Sequence, residues 1–78
     1  MSNIHAARTA LNAALPALLA VKSLLGDKES IEEGGVTLTA GFRHMSPEGP
    51  VYWYRVDVDG YHSFLTAFGT VQRLARTK

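Results

Sequence analysis

Ser46, His44 and Asp57 are the residue types of a nucleophile, a base and an orienting acid. Activating a serine needs all three within hydrogen-bond reach in a site that excludes water. Their spacing does not position them so, and a chain of 78 residues could hardly close a pocket around them. No enzyme is expected. His5, His44 and His62 are widely separated, and no two stand at the i,i+4 spacing of a zinc-binding helix. Asp57 and Asp59 share one face of an extended segment and could meet a cation, but Asp57-Val58-Asp59-Gly60 lacks the further oxygens of a calcium loop. Gly34-Gly35 is followed by a strand pattern and not by a helix N-terminus, so it does not cradle a phosphate. Neither a metal nor a cofactor is expected.

The chemistry that the residues do suggest is recognition. Trp53 stands two residues before Arg55, and a hairpin that pairs their strand with the preceding one brings Arg43 opposite Trp53. Tryptophan and arginine are the residues most enriched at binding hot spots. Met45 and Val51 extend the same patch toward the hairpin tip. The competing reading is an intrachain cluster in which Arg43 and Arg55 stack on Trp53 and stiffen the hairpin.

Length and composition narrow the elements that must hold this patch. Seventy-eight residues make one domain, residues 1–78, near the lower end of what folds alone. There is no cysteine to add a disulfide or a thiolate metal site, which fits a reducing, cytoplasmic location and leaves self-association as the remaining staple. A net charge of +1 excludes a DNA mimic and lacks the basic excess of a general nucleic-acid binder. The charge is unevenly spread, with Asp27, Glu29, Glu32 and Glu33 clustered and Arg73, Arg76 and Lys78 close together. The apolar run Ala13–Val21 is too short to cross a bilayer, so no membrane partner is expected.

The pattern of apolar residues predicts an α+β fold, a helix, an antiparallel β-hairpin with a short third strand, and a second helix. Both helices are expected on one face of the sheet. Ile4, Leu11, Leu18 and Leu25, with Ala7, Ala14 and Val21 between them, form the stripe of a helix over residues 3–25. Ser2 or Asn3 would cap it and Gly26 would stop it in a left-handed conformation. Pro16 falls opposite the stripe, where it would bend the helix around the core, with a break at Leu15 as the alternative. Leu15 and Leu19 widen the stripe beyond what one sheet needs and are the candidate residues of a homodimer interface.

From Val36 the apolar period becomes two, and the turn Ser46–Pro50 joins two strands. Pairing Met45 with Val51 sets Phe42 against Tyr54, Ala40 against Val56 and Leu38 against Val58, so that one face is apolar throughout. Asp59-Gly60 is a tight turn, Tyr61-His62 a strand stub, and Ser63 the cap of a helix burying Phe64, Phe68, Val71 and Ala75, with Leu65 and Leu74 beside them.

Gly49-Pro50 and Tyr54-Arg55-Val56-Asp57-Val58-Asp59-Gly60 resemble the first hairpin of double-stranded RNA-binding domains over roughly fifteen residues. That resemblance implies a helix–strands–helix order and RNA binding. It also implies lysines at the start of the last helix, where this chain reads Ser63-Phe64-Leu65-Thr66-Ala67.

The leading expectation is a small non-enzymatic protein-binding module that blocks a partner's surface through the Trp53 face. Inhibitors and adaptors encoded by phages and mobile elements are often of this size. Nucleic-acid binding through Arg43, Arg55, Arg73, Arg76 and Lys78, and an obligate homodimer built on Leu15 and Leu19, are the alternatives.

Overall fold

The computed structural model describes residues 3–77. Asn3 caps the helix, its Oδ1 accepting from the His5 and Ala6 amides at 2.8 and 3.4 Å. Helix α1 then runs unbroken from Ile4 to Val21, with Pro16 inside it and turned to solvent. Ala7, Leu11, Ala14 and Leu18 form the buried stripe at i, i+4, i+7 and i+11. The helix does not reach Leu25 to end on a left-handed Gly26. A 3-10 turn over Lys22–Leu24 follows it, and Leu25 is already extended. By length and composition Ile4–Leu24 could cross a membrane, but its buried stripe packs on the protein's own sheet.

Five antiparallel strands follow, paired in chain order: β1 (Ser30–Glu33), β2 (Val36–Ser46), β3 (Gly49–Val58), β4 (Tyr61–Phe64) and β5 (Ala75–Arg76). The α+β class is as expected; among the described residues there is no second α-helix. Three local features oppose it. The Asp59-Gly60 turn returns Tyr61 directly beside Val58, so residues 61–64 add to the ladder. Gly69 has φ +85°, a left-handed value incompatible with a helix interior. Thr66, Thr70 and Val71 add β-branched side chains that lower helix propensity.

Ser63 does not cap a helix. It is buried to 2% exposure, and its hydroxyl meets the carbonyls of Gln72 and Arg73 at 2.7 and 3.3 Å, fastening the returning segment that leads into β5. The helix–strands–helix order implied by the resemblance to double-stranded RNA-binding domains fails for the same reasons. The polar connection before Val36 also hides a strand, β1, whose Ile31 lies opposite Leu38.

Helix α1 covers one end of one sheet face. Val36, Leu38, Val56, Val58, Tyr61 and Leu74 meet the α1 stripe there, with Tyr54, Leu65 and Val71 at the margin. Cross-strand pairing puts Thr37, Thr39, Gly41, Trp53, Arg55, Asp57, His62 and Phe64 on the other face, which no helix among the described residues covers.

The β2–β3 register differs from expectation by two residues: Phe42 faces Tyr52, Ala40 faces Tyr54 and Leu38 faces Val56. A slip of two keeps every side chain on its face, so face pattern alone does not distinguish these registers. The two-residue turn Pro47-Glu48, closed by the Ser46 hydroxyl on the Gly49 carbonyl at 2.7 Å, selects the one observed. A bulge between Phe42 and His44 then shifts the tip by one, pairing His44 with Val51 and Met45 with Pro50.

Candidate partner-binding surface

Trp53 lies opposite Gly41, not opposite Arg43. Its indole covers the glycine so closely that a Cβ at position 41 would overlap the ring. On its other side it meets Phe64 edge-to-face, with centroids 6.3 Å apart and planes at 74°. Phe64 in turn meets the His62 ring at 6.1 Å and 86°. Trp53 is thus a fixed aromatic, still 36% exposed, on the open face of the sheet. Packed on two sides, the exposed indole is held in place, so little side-chain freedom remains for it to lose.

The stacked-arginine arrangement does not form. Arg55 turns along its own strand to Asp57, with Nη2 to Oδ1 at 2.8 Å and Nε at 3.1 Å from both carboxylate oxygens. The rings that do carry a cation are Tyr54, with Lys22 Nζ 5.0 Å from its centroid, and Tyr61, with Arg76 at 5.8 Å. Arg43 is the extra residue of the bulge and is exposed. Val51 is half-buried on the Trp53 face, whereas pairing with Pro50 moves Met45, 67% exposed, to the side of Phe42 and Tyr52.

A cleft of about 670 Å³ opens beside Trp53. Its floor is the edge of β3, because β4 pairs only with residues 55–58 and the last bond between the two segments is Leu65 N–H to the Tyr54 carbonyl at 2.9 Å. Among the described residues, no strand lies beside Pro50–Trp53 on that side. The far wall is Phe64–Ala67 and Gln72. The charged residues that line the cleft are Lys22 and Arg43, both cations.

Next to this wall the chain makes a tight loop. The Thr66 amide donates to the Thr70 carbonyl at 2.7 Å, and the Thr66 hydroxyl accepts from the Phe68 and Thr70 amides at 3.3 and 3.2 Å. At its tip Phe68 is 94% exposed. Sequence reading placed Phe64 and Phe68 on the buried side of a helix and so missed both. The signal that could have found them is Gly69-Thr70, a turn composition within an otherwise periodic segment.

The remaining expected residues separate. Leu15 packs at the margin of the core, Leu19 is half-buried, and the most exposed apolar positions of α1 are Ile4, Ala6, Ala13, Ala17 and Ala20. Ser46 closes the hairpin tip while Asp57 pairs with Thr37 at the hairpin's other end, so the nucleophile-type residues do not meet. Arg73 lines a depression with Arg8 on the helix side, away from Arg43 and Arg55 on the hairpin. Ser2 and Lys78 lie outside the described residues. Two of the clustered acids serve the backbone: Asp27 accepts from the Phe42 amide and Glu29 from the Gly26 amide, each at 2.7 Å. Among the described residues, no group of three or more potential ligands comes together to hold a metal.

Comparison with protein-family models, curated proteins and solved structures finds no match.

Proposed function

We propose that this chain is a non-enzymatic protein-binding module, an inhibitor or adaptor, that occupies a partner's surface through Trp53 and its neighbours. The observation that carries the reading is the Trp53–Phe64 pair, packed in place yet exposed, on a sheet face that no helix among the described residues covers. Phe68, on the hydrogen-bonded loop that follows the cleft wall, gives further apolar contact area, while Met45 stands exposed at the hairpin tip on the sheet's other face. Fixed aromatics exposed around a cleft match the composition of protein-interface cores.

The same observations favour protein over nucleic acid. Bases stack on ring faces presented side by side, whereas Trp53, Phe64 and His62 stand edge-on to one another. Arg55, the cation two residues along the strand from Trp53, is paired with Asp57.

The test is capture on immobilised protein. The wild-type chain should retain a partner that Trp53→Ala loses while its circular-dichroism spectrum stays unchanged. Equal retention by a folded Trp53→Ala variant would sink the reading. Retention that collapses with modest salt and is displaced by oligonucleotide would replace it with nucleic-acid binding.

A further inference from the structure

We infer that the cleft beside Trp53 receives an extended, acidic stretch of a protein partner, which joins the sheet as an added strand along β3. The inference rests on the protein-binding reading and names the kind of segment bound. Three independent features of the cleft lead to it.

The first is backbone. In an antiparallel ladder the N–H and C=O of one residue point to the same side, and the side alternates along the strand. The Tyr54 carbonyl receives Leu65, so Tyr54 points toward β4, and Tyr52, two residues back, points the same way. Beyond the end of β4 the Tyr52 amide and carbonyl therefore face the cleft. An added strand satisfies both groups, and alternate side chains of that strand enter the flanking pockets.

The second is the contrast with the other edge of the hairpin. There the Glu29 carbonyl takes the Ala40 amide at 2.8 Å, Asp27 takes the Phe42 amide, and the bulge at Arg43 distorts the ladder. These are the devices that block edge pairing. On the β3 edge, Pro50 removes one donor at the start of the strand, and Val51–Trp53 remain regular.

The third is charge. Lys22 stands over the Tyr54 ring on one side of the β3 edge and Arg43 flanks the other, and among the described residues no carboxylate lines the cleft. An acidic strand meets two cations, while a basic one is repelled by both. A second copy pairing through its own β3 would set Lys22 and Arg43 against their counterparts, which disfavours that symmetric dimer.

The experiment uses two fluorescent octapeptides, (Glu-Thr)4 and (Lys-Thr)4, with a ten-residue oligothymidylate as competitor. Binding is followed by anisotropy and by amide resonances and hydrogen exchange of the isotope-labelled chain. The acidic peptide should bind at least on the order of tenfold more tightly than the basic one, and it should slow exchange at the Tyr52 amide. Lys22→Glu with Arg43→Glu should reverse the preference, and Lys22→Gln with Arg43→Gln should abolish it, each with the amide spectrum of the fold retained. N-methylation of alternate peptide residues should remove binding in one of the two registers.

Acidic binding that leaves Tyr52 unchanged overturns the inference, as does tighter binding of the oligothymidylate at the same resonances. Association of the chain with itself through the acidic edge strand Ser30–Glu33, seen as mass that rises with concentration and perturbs Ile31 and Tyr52 together, also overturns it. Absence of peptide binding alongside Trp53-dependent capture of a partner overturns the added strand and leaves the module standing. Peptide binding at Tyr52 without Trp53-dependent capture supports the added strand and removes the wider reading.

Discussion

At the Val36–Val58 end of the β2–β3 hairpin, α1 lies across the sheet, and Leu18, Leu38 and Val56 are shut away from water. At the other end the same two strands run past the helix, and Phe42 is 45% exposed, with Met45 on its face of the projecting arm and Trp53 on the opposite face. The molecule is 44 Å long and only 23 by 20 Å across, because an eleven-residue strand at ~3.3 Å per residue outreaches an eighteen-residue helix at ~1.5 Å per residue. Both ends carry large apolar side chains and differ in what covers them. A chain this small has little stability to spare, so the apolar side chains left in solvent at one end are what the proposed binding role accounts for.

The largest expected effect lies at the covered end. Leu18→Ala deletes a fully buried side chain at the centre of the core, at a cost of about 2–5 kcal/mol. In a domain of this size that is enough to leave much of the population unfolded at room temperature, as a urea titration would register. Met45→Ala at the exposed end should move the same titration by less than ~0.5 kcal/mol. Equal costs at the two sites would erase the contrast.

Gly41→Ala tests the one place at the open end where packing is tight. The new methyl overlaps the indole, so Trp53 must swing out or the strand must shift, at about 1–3 kcal/mol. Tryptophan emission should move to longer wavelength. In a Trp53→Ala background the cost of the added methyl should fall to a few tenths of a kcal/mol, the coupling expected of residues in contact. An unchanged cost in that background would mean that Trp53 is not held by Gly41.

Much of this arrangement was legible in the residues. The helix stripe, the alternation that assigns the strands to faces, and the Asp59-Gly60 turn are local periodicities and turn chemistry, which need only neighbours in sequence. The two-residue register difference was not legible, since both registers bury the same side chains and only the turn distinguishes them. The second helix was misread because Phe64, Leu65, Phe68 and Val71 fit a helical spacing, while what decides their conformation is tertiary: pairing of Tyr61–Phe64 with β3 and the Ser63 hydroxyl on a distant carbonyl. At the site, Trp53 was legible by type. Its partners were not, because Gly41 and Phe64 reach it through register and through a strand expected to be a helix.

Ser63→Ala sharpens that point. Losing the hydroxyl leaves the Gln72 carbonyl without this partner beside the core, at about 1–3 kcal/mol. The damage should be local, with amide exchange accelerating first at Thr77 and Gln72, whose N–H groups bond Gly60 and Phe64, while Val36–Ala40 stay protected. Uniform acceleration would show that β5 and the main sheet open as one unit.

The smallest effect on stability belongs to Phe68→Ala. The ring is almost wholly in water, so its removal should change the unfolding free energy by less than ~0.5 kcal/mol. If the open end is a binding surface, the same substitution should weaken capture of the partner at least on the order of tenfold, the loss typical of a hot-spot aromatic. Thr66→Val separates the contact from its preorganisation. It leaves Phe68 in the chain but removes the hydroxyl that accepts from the Phe68 and Thr70 amides, so the loop gains freedom that binding must then remove. Weaker capture by both variants, with melting curves near wild type, would mean that the loop is built to present the ring. A loss confined to Phe68→Ala would keep the contact and discard the preorganisation. Capture indifferent to both would confine the surface to Trp53, Phe64 and the β3 edge.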